Sequence, residues 1–332
     1  MMVLMRILSR REVESLLDLD RLIDALAEAM TDLSAGRASM PPRTAAMVPE
    51  RGSLLGVMPA YLPSKGALVT KLVSLFPGNA GTTIPTHQAV IAVFDPETGS
   101  PVALMDGTAI TAIRTAAGSA LATRLLARSV PTALAIVGAG VQAGTHARLI
   151  PRVRTVTEIR VAGRSPARAE ALAARLGDEL PIPVRICPSG EKAVEGAGIV
   201  CLATHAEEPV IRRAWLAPGA HVNSVGLNPN GREIDADTVR DSAVFVESRA
   251  SALAPFPAGA NDLTWPIRDG VITEDHIRAE IGEVAGGERP GRTGDEELTL
   301  YKSVGVAVQD AAAAALVLKE ATARGIGVEV EL

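Results

Sequence analysis

The chain has 332 residues, 47% hydrophobic but only 2% aromatic, with a formal net charge of −5. This length suits two domains with a large aliphatic core, and the shortage of rings and of basic clusters argues against nucleic-acid binding. No apolar run approaches the roughly 20 residues that span a bilayer, and neither a secretion signal nor metal-ligand histidine spacing is present, so a cytoplasmic, metal-free protein with buried thiols at Cys187 and Cys201 is expected.

Ser9-Arg10-Arg11-Glu12 is a capping box that opens a helix. Leu22, Leu26, Met30 and Leu33 recur at about one turn and predict a second, amphipathic helix ending near Gly36. The period then changes. Segments at 44–48, 54–58, 68–75, 89–94 and 102–105, separated by Pro, Gly and the turn Asp95–Gly99, read as strands of a mainly antiparallel sheet. A helix over 108–127 carries Ile113, Ala117, Leu121 and Leu125 on one face, and Pro131 marks a boundary.

Beyond it, Leu134, Ile136 and Val137 form a buried-strand run that passes into Gly138-Ala139-Gly140-Val141-Gln142-Ala143 and a helix. This G-x-G-x-x-A order suits a dinucleotide. Gly138 permits the turn, Gly140 admits the pyrophosphate, and Ala143 allows close packing of the helix, whose N-terminus faces the phosphates. Strands at 158–162, 183–187, 199–203, 220–225 and 243–247 alternate at first with helices, which implies a doubly wound parallel Rossmann sheet. Residues 254–298 carry little pattern. The last helix begins near Ser303 with an apolar stripe through Val304, Val308, Ala311, Ala315 and Leu318, and is expected to pack back on the first domain. The expected division is 1–127 with 303–332, an α+β domain built from both chain ends, and 128–302, the Rossmann domain.

Two groups of residues suggest chemistry. After the strand at 158–162 stands Gly163-Arg164-Ser165, with Arg168 one turn on and no acid to take a ribose hydroxyl. Arginines here suit the 2′-phosphate of NADPH over NADH, or else are solvated charges at a helix start. In the first domain Arg43, Lys71 and Arg114 interrupt apolar or strand-forming stretches. They converge on a substrate carboxylate, with Lys71 a possible proton donor, or they form ion pairs with distant acids. No Ser-His-Asp or Cys-His arrangement is visible.

With these residues in view, the chain resembles the ornithine cyclodeaminase/mu-crystallin family. The blocks that carry the likeness are Lys71 with Phe76-Pro77-Gly78-Asn79, Pro85-Thr86-His87-Gln88 through Asp106-Gly107 to Arg114-Thr115-Ala116-Ala117, the Gly138–Ala143 turn, and Tyr301-Lys302-Ser303-Val304-Gly305. The resemblance implies a homodimer formed by the sheets of the first domain. It implies that Arg43, Lys71 and Arg114 hold a substrate carboxylate, with Thr86, His87 and Arg114 near the cofactor. Ala139, Val141 and Gln142 would line the pyrophosphate, Gly163, Arg164, Ser165 and Arg168 the adenosine, and Thr204, His205, Val225 and Ser303 the nicotinamide. Two acids of the cyclodeaminase branch are replaced, by Gly56 and by Asn228 at a catalytic position. Asparagine is no general base, which counts against ornithine cyclisation with loss of ammonia. The expectation is an NADPH-preferring reductase of small imino acids, cyclic or linear. The alternatives are an amino-acid dehydrogenase or ornithine-cyclodeaminase-type enzyme using the same site, and a cofactor-dependent binding protein like mu-crystallin.

Overall fold

The computed structural model describes residues 4–331; residues 1–3, part of the N-terminal stretch tested for a secretion signal, lie outside them. In chain order, β1 (Leu4–Leu8), α1 (Arg10–Leu16) and α2 (Leu19–Ser34) precede a meander of β2 (Thr44–Val48), β3 (Ser53–Leu62), β4 (Ala67–Leu75), β5 (His87–Phe94) and β6 (Pro101–Asp106). After α3 (Gly107–Leu126) come β7 (Thr132–Val137), α4 (Val141–Leu149), β8 (Val156–Ala162), α5 (Pro166–Glu179), β9 (Val184–Ile186), α6 (Gly190–Val194), β10 (Ile199–Leu202) and β11 (His221–Ser224). Next are α7 (Ala236–Asp241), β12 (Ser242–Val246), α8 (Arg249–Ala252), α9 (Asn261–Arg268), β13 (Ile277–Glu280), α10 (Ile281–Ala285) and β14 (Leu298–Lys302). The chain closes with α11 (Ala307–Arg324) and β15 (Val328–Glu331). Among the described residues, no helix is long and apolar enough to cross a membrane.

The chain folds as two units. The first holds the residues up to Arg114 and those from Gly305 on. Its sheet runs β15-β1-β6-β5-β4-β3-β2, antiparallel throughout except between β1 and β6. Alternation of side chains decides its faces. Met58, Ala60, Val69, Lys71 and Ile91 turn inward and are buried, with α11 packed on β3 and β4 and α2 packed on α11. Leu22, Leu26 and Met30 of α2 are buried, as their spacing predicts. On the opposite face Leu55 and Val90 remain 45% and 40% exposed, flanking Leu72 and Ser74 in an open groove of about 480 Å³. The capping box at Ser9 and Glu12 forms: the Ser9 backbone N–H donates to the Glu12 carboxylate at 2.7 Å. β1 and β15 had no local signal. They come from the two ends of the described chain: β1 is a strand because it pairs with β6 and β15, and β15, at the sheet edge, because it pairs with β1.

The second unit, Thr115–Val304, carries a fully parallel sheet in the order β13-β12-β14-β11-β10-β7-β8-β9. Its strands are near-continuous buried apolar runs, as a sheet covered on both faces requires. The winding reverses between β7 and β10, and ligands of such sheets bind in the crevice beyond the strand ends at that point. The unit boundary falls within α3, at Arg114/Thr115, rather than at 127/128. The reason lies in the second half of the helix: Ser119 Oγ meets His146 Nε2 at 2.9 Å, and Asn223 Nδ2 donates to Thr123 Oγ1 at 3.0 Å. The last helix starts at Ala307 rather than Ser303, because β14 extends to Lys302 and Gly305 turns the chain with φ +75°.

Candidate active site

The glycine turn lies at the switch point of the parallel sheet. Gly138 has φ +129°, and a Cβ there would stand 2.4 Å from the Ala203 carbonyl oxygen, just beyond β10. Both facts demand glycine. Gly140 caps α4 and would meet nothing within 4 Å of an added Cβ, so its backbone borders open space. The first N–H groups of α4 have no acceptor within the helix and suit a phosphate. Ala143 is fully buried behind them, while Val141 is exposed and the Gln142 Oε1 has no partner among the described residues. His146 steadies the helix from behind. Its Nδ1 must donate to the Gln142 carbonyl at 2.8 Å, so Nε2 accepts from Ser119. Burial pushes its pKa down to about 4, which keeps the ring neutral.

An added Cβ on Gly163 would lie 3.2 Å from the Ala139 Cβ, so the turn after β8 is packed against the turn after β7. Arg164, Ser165 and Arg168 follow it, all exposed. Ser165 caps α5 without a side-chain bond, and neither arginine has a partner among the described residues. No acid stands beside them at the end of β8.

The residues assigned to the nicotinamide end occupy loops after β10, β11 and β14. Thr204 donates both its backbone N–H and its hydroxyl to Glu233 Oε1, at 2.6 and 2.7 Å. The other Glu233 oxygen accepts from Ser224 Oγ and the Gly226 N–H, each at 2.8 Å. Lys302, fully buried, reaches Asp262 at 2.8 Å and donates to Ser224 Oγ and the Gly226 carbonyl. Val225 is half-buried and His205 exposed. Ser303 is buried and donates to Glu247 at 2.9 Å. Asn228 ties loops together: Nδ2 donates to the carbonyls of His205 and Ala206, and Oδ1 accepts from the Asn230 N–H. Every polar atom of that amide is engaged, so the structure gives Asn228 a loop-holding place rather than a proton-transferring one. Glu233, Asp262 and Glu247 escaped the sequence reading, and Lys302 entered it only as part of the Tyr301–Gly305 block. The available signal was a charged residue within an apolar stretch, at Lys302 and Glu247.

In the first unit, Lys71 lies at the middle of β4 with Met58 and Ile91 opposite on the neighbouring strands. It is buried, and its Nζ donates to Asp310 Oδ2 at 2.7 Å. Arg114, also buried, donates through Nε to Asp310 Oδ1 at 3.1 Å and through Nη1 to Gln309 Oε1 at 3.0 Å. Arg43 donates to the Gly305 carbonyl at 2.6 Å. The ion-pair alternative therefore holds for Lys71 and Arg114, and one carboxylate, that of Asp310, serves both cations. Burial drives the Lys71 pKa down to about 8; Asp310 opposes that shift, while Arg114 and Arg43 reinforce it. His87, at the start of β5, is held near 4 by burial and by the same two neighbours, Lys71 and Arg114. Thr86 is exposed. At Gly56, which stands in place of an acid of the cyclodeaminase branch, an added Cβ would press on Val73 Cγ1 at 3.2 Å. Asp310 was missed, although it breaks the alanine-rich stripe of α11 as plainly as Lys71 breaks its strand.

A parallel sheet wound both ways, with a glycine turn at its switch point, is the architecture of a dinucleotide-binding protein. The chain belongs to the ornithine cyclodeaminase/mu-crystallin family, whose profile matches residues 4–325. It is 39% identical over 300 residues to the ketimine reductase mu-crystallin of Mus musculus, covering 89% of this chain and 90% of that protein. Among solved structures it resembles the Thermococcus litoralis Delta(1)-pyrroline-2-carboxylate reductase in complex with NADH and L-proline, with TM-score 0.94, 38% identity and coverage of 98% and 100%. It also resembles an archaeal alanine dehydrogenase dimer with bound NAD, with TM-score 0.91, 30% identity and coverage of 98% and 99%.

Proposed function

We propose that this protein is an NAD(P)H-dependent reductase of small imino acids, acting on a ketimine or a cyclic imine-2-carboxylate. The observation that carries the reading is the buried cluster in which one carboxylate, Asp310, stands against two cations, Lys71 and Arg114. A buried site with surplus positive charge is stabilised by an anion, and an α-imino acid brings a carboxylate beside its C=N bond.

A reduced nicotinamide, held at the glycine turn after β7, would supply the hydride that the imine carbon accepts. The chain's own residues do the rest. Lys71 and Arg114, with Arg43 beside them, bind and orient the carboxylate, and orientation is a large part of the rate. Conversion of an imine to an amine also consumes a proton, and Lys71, charged below about pH 8, holds one at this site. Gly138, Gly140 and the start of α4 fit the pyrophosphate, and Ala139, Val141 and Gln142 border the same turn. Arg164, Ser165 and Arg168 favour NADPH over NADH, since arginine fits a phosphate in a bidentate manner. We assign the adjoining loops with Thr204, His205, Val225 and Ser303 to the nicotinamide end.

The exposed apolar face around Leu55 and Val90 supports a homodimer, the state in which the archaeal alanine dehydrogenase was solved. Unbridged, buried Cys187 and Cys201 suit a reducing cytoplasm. Amino-acid oxidation is a second reading, favoured by the likeness to that dehydrogenase. Against it stands Asn228, which replaces an acid and is engaged in loop bonds.

Consumption of NADPH and NADH across cyclic imine-2-carboxylates, and across 2-oxo acids with ammonia or methylamine, tests the proposal. Turnover on at least one imine, abolished in Lys71→Ala, is expected. Tight dinucleotide binding without turnover on any imine would make the protein a ligand binder instead, and ammonia release from alanine or ornithine would favour the second reading.

A further inference from the structure

The carboxylate-binding cations come from scattered parts of the chain: Arg43 before β2, Lys71 in β4 and Arg114 in α3. Their polar partners do not. Gly305, Gln309 and Asp310 lie within one short stretch where the chain re-enters the first unit. Gly305 accepts from Arg43, and a Cβ on it would stand 2.9 Å from the guanidinium nitrogens of Arg114. Gln309 and Asp310 take the Nη1 and Nε edge of that guanidinium. The two oxygens of Asp310 are divided between Arg114 and Lys71, and its side chain is 0% exposed.

We propose that Asp310 is the positioning residue of the carboxylate site, bridging Lys71 and Arg114 so that their remaining hydrogens face one anion. The inference rests on the reading of this cluster as the imino-acid site. Both hydrogens of Arg114 Nη2 and two ammonium hydrogens of Lys71 have no protein partner among the described residues, which leaves donors on both cations for an incoming carboxylate. A counter-ion that merely neutralised one cation would need only one of the two bonds. Because the second oxygen binds the second cation, the distance between the two donors is set by the width of a carboxylate. An α-imino acid presents the same group to them from the other side.

The bridge also governs the proton on Lys71. The charged or titratable groups that act on its ammonium are Asp310 from α11, Arg114 from α3, Arg43 ahead of β2 and His87 on β5. Of these only Asp310 favours the charged form; burial and both arginines oppose it. Loss of the Asp310 charge therefore lets Lys71 deprotonate at lower pH.

The test is calorimetric binding of pyrrole-2-carboxylate, a flat five-membered-ring carboxylate, to wild type, Asp310→Asn and Asp310→Glu across the neutral and alkaline range. Turnover does not enter, so a failure of the reductase reading leaves this measurement intact. A cooperative thermal melt and a far-ultraviolet circular dichroism spectrum like those of wild type report that a variant, substituted in the first unit, is folded. Asp310→Asn is expected to bind the probe at least about tenfold more weakly at neutral pH, with the alkaline loss of binding moved acidward by about one pH unit or more. Asp310→Glu, which keeps the charge but shifts it by one methylene, is expected to restore the pH limit while binding less tightly than wild type. A folded Asn variant whose pH limit stays in place overturns the proposal, because a purely structural role lowers affinity equally at every pH. If the Asn variant does not fold, a Glu variant with full wild-type affinity overturns it. A wild-type protein that binds no carboxylate overturns the site and this role together.

Discussion

Asp310 Oδ2 lies 2.7 Å from Lys71 Nζ across 239 positions of sequence. The pair joins the middle of a strand to the first turn of the last long helix, and both partners are buried. With Arg114 on its other oxygen, the same carboxylate stands against two cations inside the first unit.

One consequence is a divergence between activity and stability with pH. The Lys71 ammonium, at about 8 in the folded protein against 10.5 ordinarily, is charged below that pH and neutral above it. Substrate affinity should therefore fall as pH rises through about 8, seen as a rising KM. Stability should move the other way. Between about 8 and 10.5 the unfolded chain holds a proton that the folded chain has lost, so this group's contribution to stability grows with pH. His87, near 4, stays neutral throughout and adds no step in that range. Initial rates and thermal melts over the same pH series check both signs; a flat KM through pH 8 contradicts the assignment.

Gly138 and Gly140 should separate folding from binding. Gly138→Ala places a methyl 2.4 Å from the Ala203 oxygen at φ +129°, a backbone strain of about 1–3 kcal/mol before the clash is counted. A lowered Tm and impaired dinucleotide binding are expected. Gly140→Ala meets no protein atom within 4 Å. It should melt within a few degrees of wild type yet lose about tenfold or more in NADPH affinity, because its methyl enters the space assigned to the pyrophosphate. Calorimetry paired with fluorescence titration of the cofactor reads the two effects apart.

Cofactor choice should follow Arg164. Its guanidinium is exposed and has no partner among the described residues, so replacing it leaves the fold alone. Arg164→Asp is expected to lower kcat/KM for NADPH by about tenfold or more while sparing NADH, since the acid repels a 2′-phosphate and accepts from a ribose hydroxyl. An unchanged preference in steady-state assays would refute the role.

The outer sheet face should respond to charge. Leu55 and Val90 are about half exposed, on strands either side of β4. Leu55→Glu combined with Val90→Glu should shift the protein to a monomer in sedimentation velocity while its Tm at low concentration changes little, because neither side chain is in the core. A dimer that survives both charges places the interface elsewhere.

Much of this molecule was readable along the chain because the relevant physics is local. Leu22, Leu26 and Met30 mark a helix by spacing alone, and the run from Leu134 to Ala143 announces strand, turn and helix within ten positions. The three cations stood out because a charge inside an apolar run demands a partner. Which partner was not legible. Asp310 meets Lys71 only because α11 returns onto β4, and Glu233 meets Thr204, Ser224 and Gly226 only because the segments after β10 and β11 gather at one end of the sheet. Asn228 shows the same limit: its amide chemistry was evident from sequence, but its use as a tie between loops depends on backbone carbonyls more than twenty positions away.

The sequence by itself determined the two-part architecture, the glycine turn and the cations set within apolar stretches, since spacing and residue chemistry act over a few positions. Only the tertiary structure decided that Lys71 and Arg114 share one acid, that Val73 stands against Gly56, and that β1 and β15 are strands at all. Each of those depends on which distant segments the fold makes neighbours. An ion pair, a steric wall or a strand edge exists only once both of its sides are in place.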